Sequence, residues 1–144
     1  MKRHHNWVAM LPAHTMPNRG RTFEWGRWDC ALAVCDAIRA FTGVDPGAPY
    51  RGTYSTEAEA RAITGGDLGK FAATIAALHG MPEVEPRMAR RGDVVFVDNN
   101  TPEGALGIVD SSGVAAACVG EQGSIRVPLR RWKRAWHVGS LTHV

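Results

Sequence analysis

Apolar residues recur at helical spacing from Cys30 onward, at Ala31, Val34, Cys35, Ile38 and Phe41, and Gly43 ends the run. This predicts a helix over residues 30–41, with Asp29 as its N-cap. Thr56 and Glu59 have the spacing of a capping box and open a short second helix to about residue 63. Gly65-Gly66 breaks it, and Asp67 caps a third helix to about residue 78, where Leu68, Phe71, Ile75 and Leu78 form one apolar face and Gly80 the stop. Beyond Pro82 and Pro86 the pattern becomes β-branched and short. Strands are predicted at residues 94–97, 105–109, 114–119, 124–127 and 135–138, separated by Asn, Ser, Gly and Pro turns. Helices first and a meandering antiparallel sheet second make an α+β domain.

Residues 1–22 have little periodicity and read as an N-terminal arm, with Trp7, Val8 and Leu11 docking on a single domain over residues 23–144. A chain of 144 residues, 44% hydrophobic and 22% charged, is long enough to bury a core. No apolar run approaches the ~20 residues needed to cross a bilayer. Met1-Lys2-Arg3-His4-His5 lacks a following apolar stretch of the secretory type. The expectation is a protein made in a reducing cytoplasm with no direct membrane anchor.

The net charge of +3 is mild. Arg130-Arg131-Trp132-Lys133-Arg134-Ala135-Trp136 interleaves basic and aromatic residues. It reads as a solvated edge over two core tryptophans, so no nucleic-acid partner is expected. Cys30, Cys35 and Cys118 are too few for a disulfide framework, and neither C-x-x-C nor H-x-x-x-H occurs, so no metal or cofactor is expected.

Chemistry enters at Trp25-Gly26-Arg27-Trp28-Asp29-Cys30, which delivers a cysteine onto the first turn of a helix. Free backbone N–H groups and the helix dipole there favour a thiolate, the form that acts as a nucleophile. A buried apolar cysteine has the same local sequence.

Helix-start cysteine followed by a small antiparallel sheet resembles the papain-like fold in its NlpC-type bacterial form. Gly26-Arg27-Trp28-Asp29-Cys30 matches the nucleophile turn with one extra residue, Arg91-Gly92-Asp93-Val94-Val95-Phe96 the strand entry, and Ala105-Leu106-Gly107-Ile108 the His-Val-Gly-Ile strand. The resemblance implies Cys30 as nucleophile. It also implies a general-base histidine at the position of Ala105, which cannot accept a proton. The next strand, Val114-Ala115-Ala116-Ala117-Cys118-Val119, carries no imidazole either. His137 is the surrogate base considered; His4, His5, His14, His79 and His143 lie in the arm, at a helix end and in the tail.

The Phe23-x-Trp25-Gly26 lead-in, Asp29-Cys30-Ala31-Leu32, Thr42-Gly43-Val44-Asp45-Pro46, Arg51-Gly52-x-Tyr54 and the closing Arg134-Ala135-Trp136 extend the likeness. They are similar to NlpC-like proteins encoded in tail gene clusters of bacteriophages and gene-transfer particles. That resemblance implies a minor virion protein at the tail tip, with the tail hub and other tail-tip proteins as partners and a degenerate peptidase fold kept for its shape. The alternative is an active cysteine endopeptidase or amidase that cleaves host peptidoglycan through Cys30.

Overall fold

The computed structural model describes residues 1–140; His143 lies outside them. Four helices, α1 (Trp7–Thr15), α2 (Cys30–Thr42), α3 (Glu57–Thr64) and α4 (Leu68–Leu78), precede the sheet. The strands are β1 (Glu83–Val84), β2 (Val94–Val97), β3 (Ala105–Val109), β4 (Ala115–Gly120), β5 (Gly123–Pro128) and β6 (Trp132–Trp136). They form one antiparallel sheet in the order β1-β6-β2-β3-β4-β5. The α+β class expected from the sequence is the class observed.

Local chemistry accounts for the helix ends. Asp29 is extended and its carboxylate accepts from the Leu32 N–H at 2.9 Å, while Gly43 closes α2 in the left-handed region. Thr56 and Asp67 accept from Glu59 N–H and Lys70 N–H at the starts of α3 and α4. Strand β3 is buried along its whole length, which is why its sequence is continuously apolar rather than alternating. One face of the sheet, with Val94, Leu106, Ile108 and Trp136, packs against Val34, Ile38 and Phe41 of α2. The other face, with Val95, Val97, Ala105, Val109 and Cys118, is covered because the sheet curls until Trp132 and Val127 meet. The Trp132 indole N–H donates to the Val127 carbonyl at 3.0 Å. Trp132 and Trp136 are both buried, beneath exposed Arg130 and Lys133.

The opening residues differ from the irregular arm that the sequence suggested. Residues 7–15 are helical in spite of Pro12, and Leu11 is buried against α2. Val8, expected to dock, is instead exposed. A nine-residue helix that fully buries one side chain leaves no periodic signal to read. Upstream of it, Arg3 is sandwiched between the Trp7 ring, 4.2 Å from its centroid, and the Phe41 ring. Lys2 bridges Ser140, so the two ends of the described chain lie side by side.

Two further expectations shift. The last strand begins at Trp132 and ends at Trp136, so His137 falls just past it. In α4 the face turned into the core is Gly69, Ala72 and Ala76, because small residues let the helix approach Phe96 closely. Phe71 and Ile75 line an open groove instead, Leu68 lines it while also packing against the core, and Leu78 is exposed.

Candidate functional site

The turn that carries Cys30 is built from Gly26 and Asp29. Trp28 N–H donates to the Glu24 carbonyl at 2.8 Å, and Gly26 sits at φ +78° with its N–H on the Asp29 carboxylate at 3.0 Å. A Cβ at Gly26 would lie 1.8 Å from the Tyr54 carbonyl oxygen, so only glycine fits. The loop before α3 folds back on this turn through Gly52 and Tyr54, and on α2 and the loop after it through Arg51. Arg51 pairs with Asp36 of α2 at 2.6 Å and with Asp45 at 2.8 Å, Gly52 N–H donates to the Gly26 carbonyl at 2.9 Å, and the Tyr54 hydroxyl donates to Asp29. The Arg51 guanidinium holds the Asp45 carboxyl below the ordinary carboxylate range. Burial and the Asp29 carboxylate push the Tyr54 phenol strongly upward, so it stays a donor.

Cys30 itself is partly buried at the floor of the groove, packed against the cluster that contains Ala105 and Cys118. The backbone N–H groups of Leu106, Ala31 and Cys30 favour its thiolate. Burial outweighs them, the neighbouring Asp29 carboxylate opposes them, and the thiol is pushed up to about 11. At neutral pH the group is a thiol.

His137 does not meet Cys30. Its Nδ1 lies 2.6 Å from a carboxylate oxygen of Asp93, which is fully buried. Val97 pairs with Ala105 and Val94 with Ile108, so Asp93 stands at the far end of the β2–β3 pair from Ala105, roughly 13 Å away along the strand. Asp93 also accepts from Arg3 at 2.8 Å, from Val138 N–H at 3.0 Å and from Arg90 N–H at 2.8 Å. The Arg3 guanidinium is further held by the carbonyls of Val138 and Arg91. Gly92, at φ +82°, makes room for it, since a Cβ there would come within 2.8 Å of Arg3 Nη1. The Arg91-Gly92-Asp93 motif therefore anchors the N-terminal segment to the sheet.

Among the described residues, no imidazole is hydrogen-bonded to the Cys30 thiol. The histidine that shares a space with it is His14 of α1, across a small pocket of about 40 Å³ that Cys118 also lines. Burial lowers the His14 pKa, leaving it neutral. No group of three or more His, Cys, Asp and Glu among the described residues is arranged to hold a metal ion, and no described helix is long and apolar enough to cross a membrane.

The groove above Cys30 has a volume of about 660 Å³, within the usual range of ligand sites. Two edge-to-face aromatic pairs stand in its walls, Phe23 with Trp25 and Tyr50 with Phe71. At its rim Arg61 of α3 reaches Glu103 of the β2–β3 loop, and Glu121 stands at the β4–β5 turn. Sequence reasoning missed Tyr54, Glu121 and the groove-facing side of α4 as parts of this site. The signal that could have exposed the last is the Gly69-Ala72-Ala76 stripe, which marks a second, close-packed face.

No curated protein matches the chain. The family model described as "Domain of unknown function (DUF6950)" matches residues 2–138. That span takes in the Arg3 anchor, the Cys30 turn and all six strands, and the chain belongs to this DUF6950 family.

Proposed function

We propose that this chain is an NlpC-type, papain-like domain that has lost its peptidase chemistry and serves as a minor structural protein of a bacteriophage tail tip. The observation that carries the reading is the surroundings of Cys30. Ala105, in the register of the family's catalytic histidine, packs against the same cluster as Cys30, and the His137 imidazole is bound to Asp93 instead. Nucleophilic catalysis by a thiol needs a base within hydrogen-bond reach and a route for the proton to the leaving amine. A thiol pushed up to about 11 has neither the charge nor the partner. The tail-tip assignment is supported by the run of sequence motifs from Phe23 to Trp136; its partners would be the tail hub and neighbouring tail-tip proteins, and its location the virion.

The second reading is an active peptidoglycan endopeptidase or amidase. It is favoured by the place of Cys30 on the first turn of α2, where free backbone N–H groups favour a thiolate, and by His14 across the small pocket. One experiment separates the two. Purified protein and its Cys30→Ala variant are incubated with peptidoglycan and the muropeptides are analysed by mass spectrometry, and particles carrying Cys30→Ala are assembled and tested for infection. The structural reading expects no products and normal infective particles that contain the chain. Muropeptides that vanish with Cys30→Ala would establish the enzyme.

A further inference from the structure

We infer that the outward face of α1 docks against an amphipathic helix of a partner protein whose flanks are acidic. The first observation is the helix itself. Every residue from Trp7 to Ala13 is apolar, and α1 contains no Lys, Arg, Asp or Glu. Its inward side carries Leu11, which is buried, with Trp7 and His14 half-buried beside it. At 3.6 residues per turn Val8, Ala9, Pro12, Ala13 and Met16 gather on the other side. Val8 is 48% exposed and Met16 57%, and Ala9 and Ala13 are exposed with them. A surface helix ordinarily turns polar residues to water, and one that is apolar all round belongs in an interior. In α1 the polar His14 points into the small pocket against α2, while the apolar residues face out.

The ends of this strip are cationic. No acidic residue occurs before Glu24, whereas Lys2, Arg3, Arg19 and Arg21 lie in the same stretch. Arg3 is taken up by Asp93. Lys2, Arg19, Arg21 and Arg91 are exposed and paired with no acid among the described residues. The Arg91 guanidinium stands 5.5 Å from the Trp7 ring at the start of α1. At the other end, Arg19 N–H and Arg21 N–H close turns on the Met16 and Asn18 carbonyls. A surface complementary to apolar residues between cationic ends has an apolar seam with acidic flanks. A second copy of this chain lacks it, because its α1 would bring the same cations and no acid. Ala9 and Ala13, one turn apart, let another helix approach closely. A membrane-surface helix would turn its largest apolar side chains outward, but Trp7 and Leu11 pack inward. Nucleic acid would need cations on the face itself, where α1 has none. None of these residues lines the groove above Cys30, and nothing here depends on its thiol or on the tail-tip reading.

The test uses the full-length protein and three blocked peptides of about 18 residues, long enough to form a helix alone. All share one Leu-Ala seam, and the positions flanking it are Glu, Gln or Lys. Backbone amide shifts follow binding and locate it, and sedimentation reports self-association. The Glu peptide is expected to bind about fivefold more tightly than the Gln peptide, and the Lys peptide more weakly than either. Shifts should cluster in residues 2–21 and at Arg91. The Glu-to-Gln gap should shrink at about 1 M salt, where the screening length falls to ~3 Å. Lys2→Gln combined with Arg19→Gln should narrow that gap and leave Gln-peptide binding unchanged. Ala13→Glu, at an exposed helix position, should weaken the Glu and Gln peptides about tenfold or more and leave the thermal unfolding midpoint near the parent's. Equal affinities, preference for the Lys peptide, shifts away from α1 and its flanks, or no binding at millimolar peptide would overturn the inference. So would preference for anionic phosphatidylglycerol vesicles over the Glu peptide, or self-association through α1 at the same concentrations.

Discussion

His137 Nδ1 lies 2.6 Å from Asp93, a carboxylate that also closes a buried ion pair with Arg3 at 2.8 Å. The histidine best placed by sequence to serve Cys30 thus belongs to a buried anchor that joins the two ends of the described chain. Asp93→Asn should cost about 3–5 kcal/mol, because it strands the Arg3 guanidinium in the core without a counter-charge. Urea unfolding measures this, and a variant as stable as the parent would contradict the anchor. His137→Gln should cost much less, since Arg3 and two backbone N–H groups still hold the carboxylate.

Leu11 is 1% exposed in the main core. Leu11→Ala is expected to lower stability by about 2–5 kcal/mol in the same assay. Removal of residues 1–20 should abolish cooperative unfolding, because it deletes both Leu11 and Arg3. A truncated chain that folds normally would show that the segment is a detachable arm after all.

Gly26 and Gly20 make a matched pair. At Gly26 a Cβ meets the Tyr54 carbonyl in a left-handed backbone; at Gly20 it meets nothing within 4 Å. Gly26→Ala should cost roughly 2–4 kcal/mol and loosen the Tyr54–Asp29 contact, while Gly20→Ala should stay within about 0.5 kcal/mol. Equal effects at the two positions would mean that the Cys30 turn is not held by that close approach.

The sequence made much of this legible, and the reasons are local. Asp29, Thr56 and Asp67 announce helix starts because a short acceptor before an amphipathic run has few other uses. Val94–Val97 announces a buried strand through its β-branched and aromatic residues, and Ala105–Val109 through an unbroken run without polar side chains. What stayed hidden depends on tertiary contact. The α1 helix buries Leu11 alone, the two-residue β1 exists only because Glu83 and Val84 pair with Trp136 and Ala135, and His137 was drawn to Asp93 by a residue 44 positions away. The apolar stripe of α4 was visible, but its partner was not: Phe71 and Ile75 face a groove while Gly69 lets the helix close on Phe96.

The three thiols predict an alkaline limit. Burial pushes Cys30 up to about 11, and Cys35 and Cys118 up to about 12, from an ordinary 9.0. A raised folded-state pKa contributes stability in full below the unfolded value and loses it as pH rises toward the folded one. Stability should therefore be flat to about pH 8 and fall above 9, by as much as ~1.4 kcal/mol per pH unit for each thiol. Cys118→Ala should make that fall shallower by one thiol's share in urea titrations at pH 8, 9 and 10. An unchanged slope would contradict the buried neutral thiol.

The central claim is that Cys30 has no base. Its most direct test is the pH dependence of iodoacetamide alkylation at Cys30, resolved from Cys35 and Cys118 by peptide mass spectrometry. The account predicts slow labelling at pH 7, a rate that rises only above about pH 9, and the same profile in His137→Gln and His14→Ala. Rapid labelling with an apparent pKa below 7 that either histidine substitution abolishes would contradict it.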